Sequence, residues 1–227
     1  KAYQIRAVEN AFLKLFQEGL LRGTVHTCVG QEFSAVSICN NLSNQDFVIS
    51  NHRGHGHFIA HTGKVEALIS ELLGKHNGAS KGIGGSQHLY NENFVSNGIQ
   101  GSIVPVAAGI AYGKKLRKER SISVVFIGDG TLGEGAFYEA MNLVSLFNLP
   151  LLIVLEDNDI AQSTPQSQRA AYKITLDTDK EAAKLSARCP RSRRPTLNYV
   201  LGWNVWSFRR HASSNRHEIK RIKILNL

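Results

Sequence analysis

The sequence predicts an α/β fold, a parallel sheet flanked by helices, with an irregular C-terminal region, and three observations carry that reading. Ile122 to Ile127 and Leu151 to Leu155 are short, continuous apolar runs, as expected of strands buried on both faces. Between them, Glu134 to Phe147 sets Phe137, Ala140, Met141, Val144 and Leu146 on a helical pattern that Pro150 closes. Strand, helix and strand in this order form a right-handed crossover. Both strands are therefore parallel and end at one edge of the sheet, the edge at which such sheets bind ligands.

The remaining elements follow in chain order. Tyr3 to about Phe16 repeats Ile5, Val8, Phe12 and Phe16 at helical spacing, and a second helical segment after Gly30-Gln31-Glu32 runs through Phe33, Val36 and Cys39. A third spans Val65 to Leu73 and leads into the glycine-rich run Gly78 to Gly85, which reads as a loop. Ile103 to Gly113 is a helix of small residues suited to close packing on strands. After Thr164-Pro165 the periodicity is lost, apart from the short Asn198–Phe208 stretch. Residues 1–168 thus read as one α/β domain, and 169–227 as a basic tail outside the native-like fold. For that tail a disordered segment, a nucleic-acid-binding extension and off-register translation of a truncated gene all remain open.

With 227 residues, 42% of them hydrophobic, the chain can bury a substantial core. Cys28, Cys39 and Cys189 are an odd number without close spacing, so a disulfide framework is not expected and a reducing compartment is, either cytoplasm or mitochondrial matrix. No apolar run is long enough to span a membrane, and no signal-peptide pattern opens the chain. The first residue is Lys1, and the sequence reads as a fragment. The net charge of +9 is uneven: residues 1–168 hold 13 basic against 14 acidic side chains, and residues 169–227 hold 14 against 4. Any nucleic-acid affinity would belong to the tail, and the domain itself is not expected to bind nucleic acid.

Gly128-Asp129-Gly130 closes the first strand of the crossover, and Asn158 follows the second, 29 positions later. Because the strands are parallel, both side chains should emerge at one sheet edge. Mg²⁺ takes oxygen ligands, commonly one or two from side chains, the rest from phosphates and water. The Asp129 carboxylate, the Asn158 amide oxygen and the backbone carbonyl nominated at Ile160 would leave room for a diphosphate. The glycines beside Asp129 let the backbone approach phosphate oxygens, and the amides of Gly130 and Thr131 are expected at a helix N-terminus. By itself a Gly-Asp-Gly is more often an ordinary strand-to-helix turn; the paired Asn158 is what raises it above that.

At these residues the chain resembles the thiamine-diphosphate signature, with Asp157-Asn158 standing where the family has an Asn pair. From about Gly30 to Pro165 it is similar to the alpha subunit of 2-oxo acid dehydrogenases of the pyruvate and acetoin type. The shared motifs are Gly30-Gln31-Glu32, His52-Arg53-Gly54-His55-Gly56, Gly84-Gly85-Ser86-Gln87-His88, Gly98-Ile99-Gln100-Gly101 with Pro105, and Gly128 to Gly135. The resemblance implies a thiamine-diphosphate-binding fold and an oxidoreductase that decarboxylates a 2-oxo acid and passes the acyl group to a lipoyl carrier on an acyltransferase. It also implies an α2β2 assembly in which a beta subunit supplies the Glu of the cofactor's proton relay. Arg53 would contact the diphosphate, and His52, where the family usually has Tyr, would hydrogen-bond it. His26 would face the substrate, so His26 and His52 are the candidate catalytic residues. Gly98 and Gln100 would line the aminopyrimidine through backbone groups, and Asp129, Asn158 and Ile160 would hold Mg²⁺. Family members continue well past the second strand, and residues 169–227 match none of that continuation.

Rival readings fit less well. The Gly-Lys pairs Gly63-Lys64 and Gly74-Lys75 lack the hydroxyl residue that a phosphate-binding loop places next. His52, His55, His57 and His61 could approach a zinc ion, but no cysteine or carboxylate joins them at ligand spacing. A transketolase-like enzyme shares the metal signature but not the Gly84-Gly85-Ser86-Gln87-His88 and His52-Arg53 motifs.

Overall fold

The computed structural model describes residues 1–21, 23–169, 198–203 and 223–226. Its helices are α1 (Ala2–Gln17), α2 (Glu32–Cys39), α3 (His55–Thr62), α4 (Val65–Leu72), α5 (Gln100–Leu116), α6 (Gly135–Leu146) and the single turn α7 (Gln166–Arg169). Strands β1 (Phe47–Ser50), β2 (Tyr90–Asn91), β3 (Phe94–Ser96), β4 (Ser123–Gly128), β5 (Leu151–Asp157), β8 (Asn198–Trp203) and β9 (Lys223–Asn226) form one sheet. A separate hairpin joins β6 (Ile160–Ala161) to β7 (Thr164–Pro165). The sheet order is β2-β3-β1-β4-β5-β8-β9, parallel from β3 to β8 and antiparallel at its two edges.

The crossover read from the sequence is present: β4 and β5 are parallel over six residue pairs, from Ser123↔Leu151 to Gly128↔Glu156. Successive residues of β4 point to opposite faces, and Val124, Val125, Phe126 and Ile127 are all fully buried. Val124 and Phe126 join Ile5, Phe12, Phe58 and Leu68 from α1, α3 and α4 in one core. Val125 and Ile127 join Ile103, Val104, Ala107, Phe137 and Val144 from α5 and α6 in the other. Each large side chain here contributes about 1.5–3 kcal/mol on burial, so the sheet is clamped between two apolar layers.

Two strands that the hydrophobic pattern did not pick out matter for the site. Strand β1, only four residues long, lies between β3 and β4, pairing Val48 with Phe94 and with Val124. From β1 the chain passes through α3 and α4 to β3 on one side of β1, and from β3 through α5 to β4 on its other side. The strand order therefore reverses between β1 and β4, and the crevice beyond their C-terminal ends is where ligands of open parallel sheets bind. Helix α5 is three residues longer at each end than the Ile103–Gly113 pattern. Asn97 Oδ1 accepts the Ile99 N–H at 2.8 Å ahead of its start, and near its end the buried Lys114 donates to Gln45 O at 2.9 Å and Ser121 Oγ at 2.7 Å.

The periodic Asn198–Phe208 stretch supplies β8, up to Trp203; the rest of the basic tail, residues 170–197, 204–222 and 227, lies outside the described residues, as does Cys189.

Candidate functional site

Strand β1 ends in Ser50-Asn51-His52-Arg53, a turn held by Asn51. Its Oδ1 accepts the Arg53 N–H at 2.8 Å, and its Nδ2 donates to Phe126 O of β4 at 3.4 Å, which ties this turn to the strand carrying Asp129. Gly54 is required next, because a Cβ there would stand 2.9 Å from Ser50 Oγ and 3.0 Å from the Asn51 carbonyl. The Arg53 guanidinium donates to Thr27 O at 2.7 Å, and this fixes the loop bearing His26. His26 and His52 meet edge to face, with ring centroids 4.9 Å apart.

Burial first, and then the charges of Arg53 and His26, push the His52 imidazole down to about 4. His26 is also lowered, by burial and then by Arg53 and His55. Both rings are therefore neutral at pH 7, and the positive charge on this wall is Arg53. His52 Nδ1 and Gln100 Oε1, at the start of α5, are buried without a well-formed hydrogen bond, although the Gln100 side chain lies near enough to His52 to oppose the lowering of its pKa. Gln100 Nε2 reaches the Gly98 carbonyl at 3.4 Å. Gly98 itself packs against Gln87, whose Oε1 would lie 2.2 Å from any Cβ at that position. His26, His52, Arg53 and Gln100 are thus brought together, with Gly98 beside them.

At the end of the strand paired with β1, Asp129 follows β4 directly and is buried. The amides of Gly130 and Thr131 do not open helix α6, as the sequence pattern suggested, but sit in a 3₁₀ turn, Asp129–Gly133. The reason lies at Glu134, which is extended (φ −91°, ψ 128°) and returns its N–H to Thr131 O at 3.0 Å, closing the turn before α6 begins. Thr131 is fully buried and its hydroxyl has no partner. Asn158 leaves β5 two residues beyond Glu156, which is registered with Gly128, so Asp129 and Asn158 emerge from adjacent parallel strands at the same edge. Asn158 Oδ1 accepts the Ile160 N–H at 3.1 Å, which begins β6. Ala161 of that strand presses on Gly130, where an added Cβ would come within 2.9 Å of it. Ile160 itself pairs with Pro165 and exposes its side chain.

Sequence reasoning missed one group here. The guanidinium of Arg169, at the end of α7, forms an ion pair with Asp129 Oδ2, and its Nη1 donates to the Asp129 carbonyl at 3.1 Å. One basic residue beyond the point where periodicity fades carries no signal of such a contact.

Two buried pairs form the floor. Glu9 of α1 lies 3.1 Å from His55 Nδ1 and accepts the Cys28 N–H at 3.0 Å, while His55 Nε2 stands 2.9 Å from Ser86 Oγ. Glu156 at the end of β5 lies 3.2 Å from His57 Nε2 and accepts the Ser34 hydroxyl at 2.5 Å; His57 Nδ1 stands 2.8 Å from Ser50 Oγ, and its ring stacks on Phe126 at 3.7 Å. Burial pushes both carboxyls up, but the facing imidazoles and the hydrogen bonds they accept outweigh it, leaving each below the ordinary carboxylate range. His55 and His57 are thus committed to carboxylates on different elements. Among the described residues no three His, Cys, Asp or Glu side chains gather as metal ligands. What the edge offers a cation is the hard-oxygen set of a carboxylate, an amide and backbone carbonyls, which suits Mg²⁺ completed by water or phosphate.

Comparison with known proteins agrees with this architecture. The family model described as dehydrogenase E1 component matches residues 1–182. The alpha subunit of acetoin:2,6-dichlorophenolindophenol oxidoreductase from Bacillus subtilis is 38% identical over 180 residues, 78% of this chain and 54% of that protein. The mitochondrial pyruvate dehydrogenase E1 component subunit alpha of Chaetomium thermophilum is 37% identical over 168 residues, 74% of this chain and 41% of that protein. The corresponding subunit of Zymomonas mobilis is 37% identical over 172 residues, 74% and 49%. The chain thus spans about half the length of the curated relatives it matches. With the family model covering well over half of its residues, the chain belongs to the dehydrogenase E1 component family, and these relatives within it are alpha subunits.

Proposed function

We propose that this chain is the cofactor-binding part of an E1 alpha subunit, which holds thiamine diphosphate through Mg²⁺ for the oxidative decarboxylation of a pyruvate-like 2-oxo acid. The observation that carries the reading is the register of β4 and β5, which brings Asp129 and Asn158 to one sheet edge, with Arg53 following β1, the other neighbour of β4. The residues fit the group. The donors at that edge are hard oxygens, and His52 Nδ1, Gln100 Oε1 and Thr131 Oγ1 are buried polar atoms without a well-formed hydrogen bond.

In this reading Asp129, Asn158 and the Ile160 carbonyl hold the Mg²⁺. Arg53 and His52 bind the diphosphate, the backbone of Gly130 and Thr131 borders it, and the main chain at Gly98 and Gln100 lines the aminopyrimidine. Bound thiamine diphosphate supplies the nucleophilic carbon and the electron sink for decarboxylation. His26, held neutral beside Arg53, faces the substrate, where its ring can donate or accept a hydrogen bond without adding charge. The beta subunit of an α2β2 assembly contributes the remaining acid–base group, and a lipoyl-bearing acyltransferase takes the acyl product.

Calorimetric titration with thiamine diphosphate, with and without Mg²⁺, tests the reading. Binding should require Mg²⁺ and weaken at least tenfold in Asp129→Asn, which removes the charge at the ion, in line with the ~1.4 kcal/mol such a factor represents. Binding indifferent to Mg²⁺ would sink it.

A further inference from the structure

The one charged partner of Asp129 among the described residues is Arg169, and the pair is largely shielded from water, with 17% of the Arg169 side chain and 3% of the Asp129 side chain exposed. The contact is twofold, to the carboxylate and to the carbonyl of the same residue, and the Arg169 Nε is buried without a partner. Arg169 is delivered there by the hairpin β6–β7, which Asn158 starts and which Gln166 closes with an N–H bond to Asp159 O at 2.9 Å. The segment that places Asn158 at the sheet edge therefore also places a guanidinium on the nearest carboxylate.

We infer that Arg169 is a partner-switching residue: it neutralises Asp129 until a divalent cation takes that carboxylate, and the released guanidinium then binds the anionic ligand that arrives with the cation. This rests on the function proposed above. A cation and a guanidinium cannot both occupy Asp129 Oδ2, and their like charges repel. A guanidinium turned away from a carboxylate keeps its planar set of N–H donors, which matches phosphate oxygens as well as it matches a carboxylate. The consequence is thermodynamic coupling: the cation alone competes with Arg169 and binds weakly, whereas cation and diphosphate together satisfy every charge.

The test is direct binding on the full chain. Mn²⁺ alone is titrated by electron paramagnetic resonance, and thiamine diphosphate by calorimetry at saturating Mg²⁺, for the wild type, Arg169→Gln and Arg169→Lys. Arg169→Gln should bind Mn²⁺ alone about tenfold more tightly and thiamine diphosphate about tenfold more weakly, opposite shifts within the usual range of coupling between sites. Arg169→Lys, which keeps the charge but loses the fork, should leave Mn²⁺ affinity near wild type and still weaken thiamine diphosphate. A variant that merely disturbs folding weakens both ligands. Unchanged or weaker Mn²⁺ binding in Arg169→Gln, in a wild type that binds both ligands, overturns the switch and leaves the proposed function standing. If no form binds Mn²⁺ or thiamine diphosphate, both readings fall together.

Discussion

Replacing Glu71 by Gln tests how the glycine-rich loop Gly78–Gly85 is held. Glu71 lies on α4, is 1% exposed, and its two oxygens accept four backbone N–H groups of that loop. Oε2 takes Ser80 N at 2.6 Å and Gly82 N at 2.9 Å; Oε1 takes Gly84 N at 2.7 Å and Gly85 N at 3.1 Å. The glycine-rich run is thus wrapped around the protein's own carboxylate. The wrapping is close enough that a Cβ at Gly78 would fall 2.5 Å from Glu71 Oε2. Gln keeps the shape but turns one oxygen into a donor, so two N–H groups lose their acceptor and the other two lose its charge. Hydrogen bonds to charged groups contribute about 1.5–3 kcal/mol each. Taking the low end, because water reaches part of this loop, two lost bonds amount to about 3 kcal/mol. For a domain of this size that lowers Tm by roughly 6–12 °C. Scanning calorimetry gives the shift, and amide hydrogen exchange should accelerate first at residues 80, 82, 84 and 85. A Tm within about 2 °C of wild type, with exchange unchanged there, would refute the assignment of Glu71 as the loop's anchor.

Two further outcomes follow from the same geometry. Gly84→Ala places a Cβ 2.0 Å from the backbone carbonyl of His88, which cannot swing aside, so it should cost about 1–3 kcal/mol, read as a lower urea midpoint. Stability should also fall on acidification. His52 titrates at about 4 in the folded protein against an ordinary 6.5, so between those values the unfolded chain takes up a proton that the folded chain refuses. The His52 contribution is complete above about pH 6.5, declines toward pH 4 and is constant below it; Glu9 and Glu156, whose carboxyls lie low, lose theirs as pH falls further through their folded values. Urea midpoints across this range should flatten between pH 4 and 6.5 in His52→Phe, and an unchanged slope there would remove His52 as the source.

The parts of the molecule legible in the sequence are those that repeat a physical pattern over enough residues. Strands β4 and β5 are six and seven residues of nearly unbroken apolar character, so their burial on both faces was plain, and with it the shared edge of Asp129 and Asn158. Strands β1 and β3, four and three residues long, are too short to show a period. The apolar run behind β1 is only Phe47-Val48-Ile49, and without that strand the strand-order reversal that defines the crevice could not be drawn.

The buried carboxylates were missed, although each leaves a signal in the sequence, because each sits where an apolar pattern predicts an apolar residue. Ile5, Glu9 and Phe12 share one stripe of α1, all three buried, and Glu156 continues the run of β5 beyond Leu155. A carboxylate on a core-facing stripe needs a partner, and the two imidazoles of His55-Gly56-His57 are partners of the right kind. The histidine cluster that suggested a metal therefore has a structural use, in which Glu9 and Glu156 bolt α1 and β5 to the first turn of α3, directly behind Arg53. Gly56, between the two histidines, leaves room for the Cys28 side chain, since a Cβ there would lie 2.8 Å from its Sγ. Removing one partner of such a pair leaves a buried charge that costs about 3–5 kcal/mol. The rigidity of the Arg53 turn thus depends in part on Glu9 and Glu156, which lie outside the glycine motifs.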